Sequence, residues 1–236
     1  MIVSIGNDSY LTTARGPLTT QAANPPALPF PAHILIIPFG HAQTLAQVDD
    51  PAKTYTEMLR FRSVLDRMYR ARGAGAVCFE VARGTRGMHA HWQVVPVRQE
   101  KLELVMDVFK VAAHREGLGE FAEKSGKELL QSEDHWGDSY FRVWVSPGAG
   151  PQEVKSESEY QGKGKDKEEE EDKWQCLPLP MDKRFDLQFG RKVLAGVIGG
   201  ESEERVHWKN CIQSINEEKR DAEAFKGAFQ PWDFTL

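Results

Sequence analysis

The stretch His89-Ala90-His91-Trp92-Gln93-Val94-Val95-Pro96-Val97 decides how the rest of the chain is read. Its β-branched and aromatic residues predict a strand, on which successive side chains point to opposite faces. His89, His91, Gln93, Val95 and Val97 then share one face, and Ala90, Trp92, Val94 and Pro96 share the other. Two imidazoles and an amide stand in a row. Such a row can bind phosphate through N–H donors, hold a metal, or use a neutral imidazole to attack phosphorus. It can equally be two half-exposed histidines at a strand edge, because short patterns recur by chance.

Working outward, His33-Ile34-Leu35-Ile36-Ile37-Pro38 predicts a second strand, with His41 just beyond it. Met58, Phe61, Leu65 and Met68, spaced three, four and three apart among charged residues, predict an amphipathic helix over 52–72 that Gly73 and Gly75 stop. Ala76 to Ala82 predicts a buried strand, and Gly84 and Gly87 a turn leading into the histidines. Leu102, Val105, Met106, Phe109, Ala112 and Ala113 trace a second helical face ending near Gly117. Ile2–Ile5 and Tyr10–Thr13 around Gly6-Asn7-Asp8 predict a hairpin, and five prolines between Pro17 and Pro31 a loop. Strands followed by helices in this order predict an α+β fold, an antiparallel sheet with helices packed on one face.

From Ser146 to Lys173 the chain loses nearly all apolar residues, too few to offset the entropy of ordering. This predicts an acidic disordered linker over 146–173, between a first domain over 1–145 and a smaller, mostly helical one over 174–236. Residues 151–173 hold nine acids and five lysines, a balance of −4 that leaves −1 for the rest of a chain of net charge −5. A nearly neutral folded part cannot grip RNA by a global positive field, so any RNA contact must be local. Beyond the linker, Leu187 to Ile198 predicts a helix, and Ser214 with Glu217 a capping box opening another. Trp136, Trp144 and Trp174 are expected to be core or interdomain anchors, and the terminal Trp232 and Phe234 to clamp the second half onto the first.

Cys78, Cys176 and Cys211 fit neither a disulfide framework nor a zinc motif. No apolar run approaches the roughly 20 residues of a membrane span, and nothing resembles a secretory signal, so a reducing compartment is expected. The pattern calls for no cofactor and no metal.

His33 and His41 ahead of a helix, the strand Val77 to Val81, a glycine-containing loop and His89-x-His91-x-Gln93 together resemble the histidine-triad (HIT) superfamily. The HxHxQ form resembles its branch of nucleotide transferases and dinucleotide phosphorylases. That resemblance implies His91 as nucleophile, His89 orienting the backbone around it, His33 bonding behind it and Gln93 facing a phosphate oxygen. Thr85 and Arg86, with Arg83 at the same loop, would meet phosphate, with Arg86 standing where many HIT enzymes carry a serine. Closer still, Ile2 to Leu18, His33 to His41, His91 to Val97, Phe185 to Leu194, Trp208 to Cys211, Asp221 to Lys226 and Phe229 to Phe234 are similar to the paired C-terminal domains of the CwfJ family of splicing-associated proteins. This resemblance implies a nuclear role on the late spliceosome or intron lariat, beside spliceosomal proteins and the lariat debranching enzyme, with intron lariat or snRNA as the RNA. Binding with little hydrolysis is the expected activity, and the alternative is an active nucleotide hydrolase or nucleotidyltransferase.

Overall fold

The computed structural model describes residues 1–83, 88–131, 139–147, 172–180, 182, 184–200 and 203–236. Among them, eight strands form one sheet: β1 (Ile2–Ile5), β2 (Ser9–Thr13), β3 (Ile34–Pro38), β4 (Ala74–Arg83), β5 (Trp92–Arg98), β6 (Ala122–Ser125), β7 (Ser139–Val145) and β8 (Lys173–Pro178). Their spatial order is β1-β2-β3-β5-β4-β7-β8-β6, and every pair is antiparallel. The helices are α1 (Pro51–Arg70), α2 (Leu102–Arg115), α3 (Gly126–Gln131), α4 (Phe189–Ile198) and α5 (Ile215–Phe229). The fold is α+β, and no described helix is long and apolar enough to cross a membrane.

Each long helix forms where its sequence supplies both an apolar stripe and an end. Asp50 accepts the Lys53 N–H at 3.0 Å and Pro51 opens α1, whose stripe of Tyr55, Met58, Phe61, Leu65 and Met68 is buried. The helix ends at Arg70, and Gly73 at φ 76° turns the chain into β4 through a left-handed conformation that glycine adopts without strain. Ser214 and Glu217 close a reciprocal capping box on α5, as their spacing predicts.

The helices cover both faces of the sheet, where the sequence reading placed them on one. Strand β4 explains the difference. Its first seven residues, from Ala74 to Glu80, are buried, so a cover is needed on each side. Face one carries Trp92, Val94, Cys78 and Trp174 under α1, with Phe225 and Phe229 of α5 joining the same core. Face two carries Val77, Phe79, Val95 and Phe141 under α2 and α4. Helix α4 seats so closely that a Cβ added to Gly190 would lie 2.6 Å from the Phe79 ring.

Trp136 and most of the acidic run lie outside the described residues, but the end of the run is structural. Asp172 is buried, accepts the Tyr55 hydroxyl at 2.5 Å and also bonds the Ser125 hydroxyl. From Lys173 the chain enters β8, which pairs with β7 and β6, so neighbouring strands of one sheet lie on either side of the run. The C-terminal aromatics dock as expected: Phe234 meets Phe61 at 4.7 Å, Arg60 lies 4.0 Å over the Phe234 ring, and Asp233 accepts the Ser4 hydroxyl at 2.9 Å.

Candidate functional site

The histidine site belongs to face two. In the register of β3 against β5, Leu35 stands opposite Gln93, so period-two alternation puts His33, Leu35, Gln93 and Val95 on one side of the sheet. His89 and His91 precede β5 in chain without regular secondary structure. His33 is 1% exposed, whereas His89, His91 and Gln93 are each half-buried.

Hydrogen bonds orient this group from both ends. Nδ1 of His91 lies 2.8 Å from the carbonyl oxygen of His89, which can only accept, so Nδ1 carries the proton. Neutral His91 then holds its lone pair on Nε2. Nε2 of Gln93 stands 3.5 Å from that atom, a long contact in which the amide donates. At the other end, Nδ1 of His33 accepts the Leu18 N–H at 3.1 Å and faces an Arg191 guanidinium nitrogen at 3.3 Å. With Nδ1 an acceptor, neutral His33 carries its proton on Nε2. The Gln93 side chain also reaches His33, without alignment for a full hydrogen bond at Nε2. Gln93 thus stands between the two rings, bonded at 3.5 Å to Nε2 of His91, while Nε2 of His33 has no hydrogen-bond partner among the described residues.

Electrostatics supports that assignment. Burial pushes His33 well below the usual histidine range, and the charges of Arg191 and His91 push the same way, against the Gln93 contact. Burial also lowers His89, aided by His41 and His91 and opposed by the Gly40 carbonyl. The His89 ring rests on the His41 ring at 4.5 Å, with Nε2 3.2 Å from the Gly40 oxygen. His89 therefore serves His91 through its backbone carbonyl while its ring turns to the loop after β3.

Beyond His91 no described helix covers the same face. Leu35, Ile37, Tyr10 and Thr12 are half-buried, Phe39 is 50% exposed and Ile5 56%. Tyr10 and Phe39 stack at 5.5 Å with 27° between ring planes. An aromatic and aliphatic surface beside an imidazole lone pair can take a planar base on the rings and a phosphate at the histidines.

Of the residues named from sequence, His33, Gln93 and His91 come together. Arg83 ends β4 and reaches the Pro180 carbonyl at 3.5 Å, and Thr85 and Arg86 lie outside the described residues. Sequence reasoning missed Arg191, the Leu18 N–H and the Tyr10–Phe39 pair. Alternation could have found the pair once the strand register was known. Nothing in the pattern of α4 marks one arginine as aimed at a histidine.

Comparison with known proteins agrees with the layout of the chain. Residues 1–110 match a family model described as protein similar to CwfJ C-terminal, and residues 120–235 one described as protein similar to CwfJ C-terminus 2. All of the chain aligns with CWF19-like protein mug161 of Schizosaccharomyces pombe at 37% identity and with CWF19-like protein 1 of Mus musculus at 29%, covering 36% of each. It is 29% identical to zinc finger CCCH domain-containing protein 59 of Oryza sativa, over 99% of this chain and 32% of that protein. The chain thus spans about a third of the length of the curated relatives it matches. It belongs to the CwfJ family, whose two C-terminal regions it carries in order.

Proposed function

We propose that this chain is a splicing-associated module that binds RNA or nucleotide phosphate at His91, in the manner of a HIT-like fold. Its place is the nucleus, on late spliceosomes or intron lariats, where it aids lariat debranching or turnover beside spliceosomal proteins and the debranching enzyme. One observation carries the reading: the half-exposed His91 stands at the border of an open sheet face holding a stacked Tyr10–Phe39 pair. Rings of that kind hold bases of any sequence, which suits a chain without a general basic field. In this reading Arg83, Thr85 and Arg86 meet the phosphate.

A second reading is favoured by the hydrogen-bond direction. A neutral His91 with its lone pair on Nε2 is the form needed to attack phosphorus, which fits a nucleotide hydrolase or nucleotidyltransferase. Binding and turnover of a short single-stranded RNA, a dinucleoside polyphosphate and an adenylated substrate, measured together on wild type and His91→Ala, separate the two. Binding with no turnover in either protein is expected. Hydrolysis that disappears in His91→Ala would establish the transferase reading instead.

The blocks before and after the acidic run are proposed to act as one unit. A protease site engineered between residues 150 and 170, once cut, should leave both fragments eluting together in gel filtration, because β7 and β8 remain paired. Separate elution would count against it.

A further inference from the structure

Arg191 is 4% exposed, and among the described residues no carboxylate forms an ion pair with it. Burying a guanidinium is costly unless its N–H groups are satisfied and its charge has a use. Nε donates to the Val206 carbonyl at 2.9 Å and one terminal nitrogen to the Arg205 carbonyl at 2.7 Å, which fixes the plane of the group. The same nitrogen lies 3.7 Å from the Cys211 sulfur. Arg205 is itself tied to the Pro17 carbonyl at 2.9 Å, next to Leu18, whose N–H also points at His33. The remaining terminal nitrogen of Arg191 is thereby aimed at Nδ1 of His33, 3.3 Å away. Two donors converge on one lone pair. Protonating Nδ1 would set a proton against two N–H groups and a second charge against the guanidinium.

We infer that Arg191 is a positioning residue for His33: together with the Leu18 N–H it holds Nδ1 of His33 as an acceptor, so that the ring behind Gln93 and His91 carries its proton on Nε2 alone. The region after the acidic run then completes a site whose histidines all come from before it. Arg191 touches neither His91 nor the open face, and it acts through His33. The inference rests on the proposed phosphate site at His91 for its purpose, but not for its test. The groups facing His33 are Arg191, Gln93, His91 and the Leu18 N–H; His41 and His89 pair with each other nearby.

The experiment is ring-nitrogen NMR on the uniformly ¹⁵N-labelled chain between pH 5 and 8, with no ligand added. In wild type at pH 7.5, His33 should be protonated on Nε2 alone and His91 on Nδ1 alone. In Arg191→Met the proton affinity of His33 should rise about tenfold or more, as removal of a nearby like charge requires. Arg191→Lys should restore the low affinity of His33, since it returns the charge. A wild-type His33 protonated on Nδ1 would overturn the inference without any variant, even if Arg191→Met does not fold. Unchanged His33 signals in a folded Arg191→Met would overturn it too. Absence of RNA or nucleotide binding would remove the proposed function and leave these tautomers to be read as before.

Discussion

On one face of β5, Trp92 and Val94 are wholly buried; on the other, one residue away along the same strand, His91 and Gln93 keep part of their surface in water. The first face closes over a polar centre that has no outlet. Arg142 bonds Glu80 through Nε at 2.6 Å, Trp92 and Tyr140 donate to the same carboxylate at 3.2 and 3.4 Å, and the guanidinium lies 4.4 Å from the Trp174 ring centre. The second face is roofed by α2 and α4 only over its far half, and no described helix covers it at β3, β2 and β1. Both faces contain charged and aromatic groups. What separates them is whether the polar groups are sealed in the interior or reach the surface. Alternation along a single strand thus divides the molecule into a side that specifies the fold and a side able to meet a ligand.

Removing one member of the closed network should therefore have the largest effect on stability. Glu80→Leu leaves Arg142 charged and buried, and a loss of about 3–5 kcal/mol is expected in urea denaturation. Glu80→Leu combined with Arg142→Met should recover much of that loss, since a well-packed apolar pair replaces the ion pair. A double variant no more stable than the single one would mean that the network does more than satisfy itself.

The open face should reveal itself through pH. His33 binds a proton in the unfolded chain below about pH 6.5 but resists it when folded, because burial and Arg191 oppose the charge. The unfolded state then holds more protons, so stability is full above that pH and falls as the solution is acidified, by about 1.4 kcal/mol per pH unit. Between pH 6.5 and 5 the loss reaches about 2 kcal/mol from His33. The half-buried His89 adds a smaller slope of the same sign, so the difference between wild type and His33→Gln isolates the effect. Parallel stability profiles for the two proteins would show that His33 protonates freely in the fold.

A smaller loss is expected at the hairpin. Glu57 of α1 accepts the backbone N–H groups of Asn7, Asp8 and Ser9 at 2.7 to 2.9 Å and the Ser9 hydroxyl at 2.7 Å. Burial works to raise its pKa, but those four donors outweigh it and hold the carboxyl below its usual range. Its contribution is present above the unfolded carboxylate pKa and is lost as pH falls through the folded one. Glu57→Gln should cost about 1–2 kcal/mol at pH 7 and flatten the acid limb of the profile below about pH 4.5.

How much of this was legible follows from where each signal lives. The stripe Met58, Phe61, Leu65 and Met68 names α1 because a helix facing one core repeats its apolar residues at a fixed spacing. Ser214 and Glu217 name the start of α5 because both partners of the cap lie within one turn. Strand β7 escaped because Arg142 stands in its middle, and an arginine there makes sense only against Glu80, 62 residues away in sequence. Strand β8 escaped because Asp172, at the end of the acidic run, is bound by Tyr55 from α1, a partner no local pattern can announce. At the site, His91 and Gln93 are two residues apart and their shared side is a matter of parity. Arg191 reaches His33 across 158 residues, so its role depends on how α4 lies on the sheet.

The open face offers the smallest effect on stability and the sharpest contrast. Phe39 is 50% exposed, stacks on Tyr10 and belongs to neither core. Its removal takes little apolar surface from the folded interior, so Phe39→Ala should change the unfolding free energy by no more than about 0.5 kcal/mol. If the ring receives a base, the same substitution should weaken binding of a short single-stranded RNA by about 1–3 kcal/mol, roughly 5- to 150-fold, the range measured for lost base stacking. Exposed Leu104 of α2, 58% accessible and away from the histidines, supplies the control, for which Leu104→Ala should alter neither quantity. Equal binding by wild type and Phe39→Ala would leave His91 as a phosphate contact with no base platform beside it. A large loss of stability in Phe39→Ala would instead mean that this side of the sheet is as structural as the other, and the contrast between the two faces of β5 would fail.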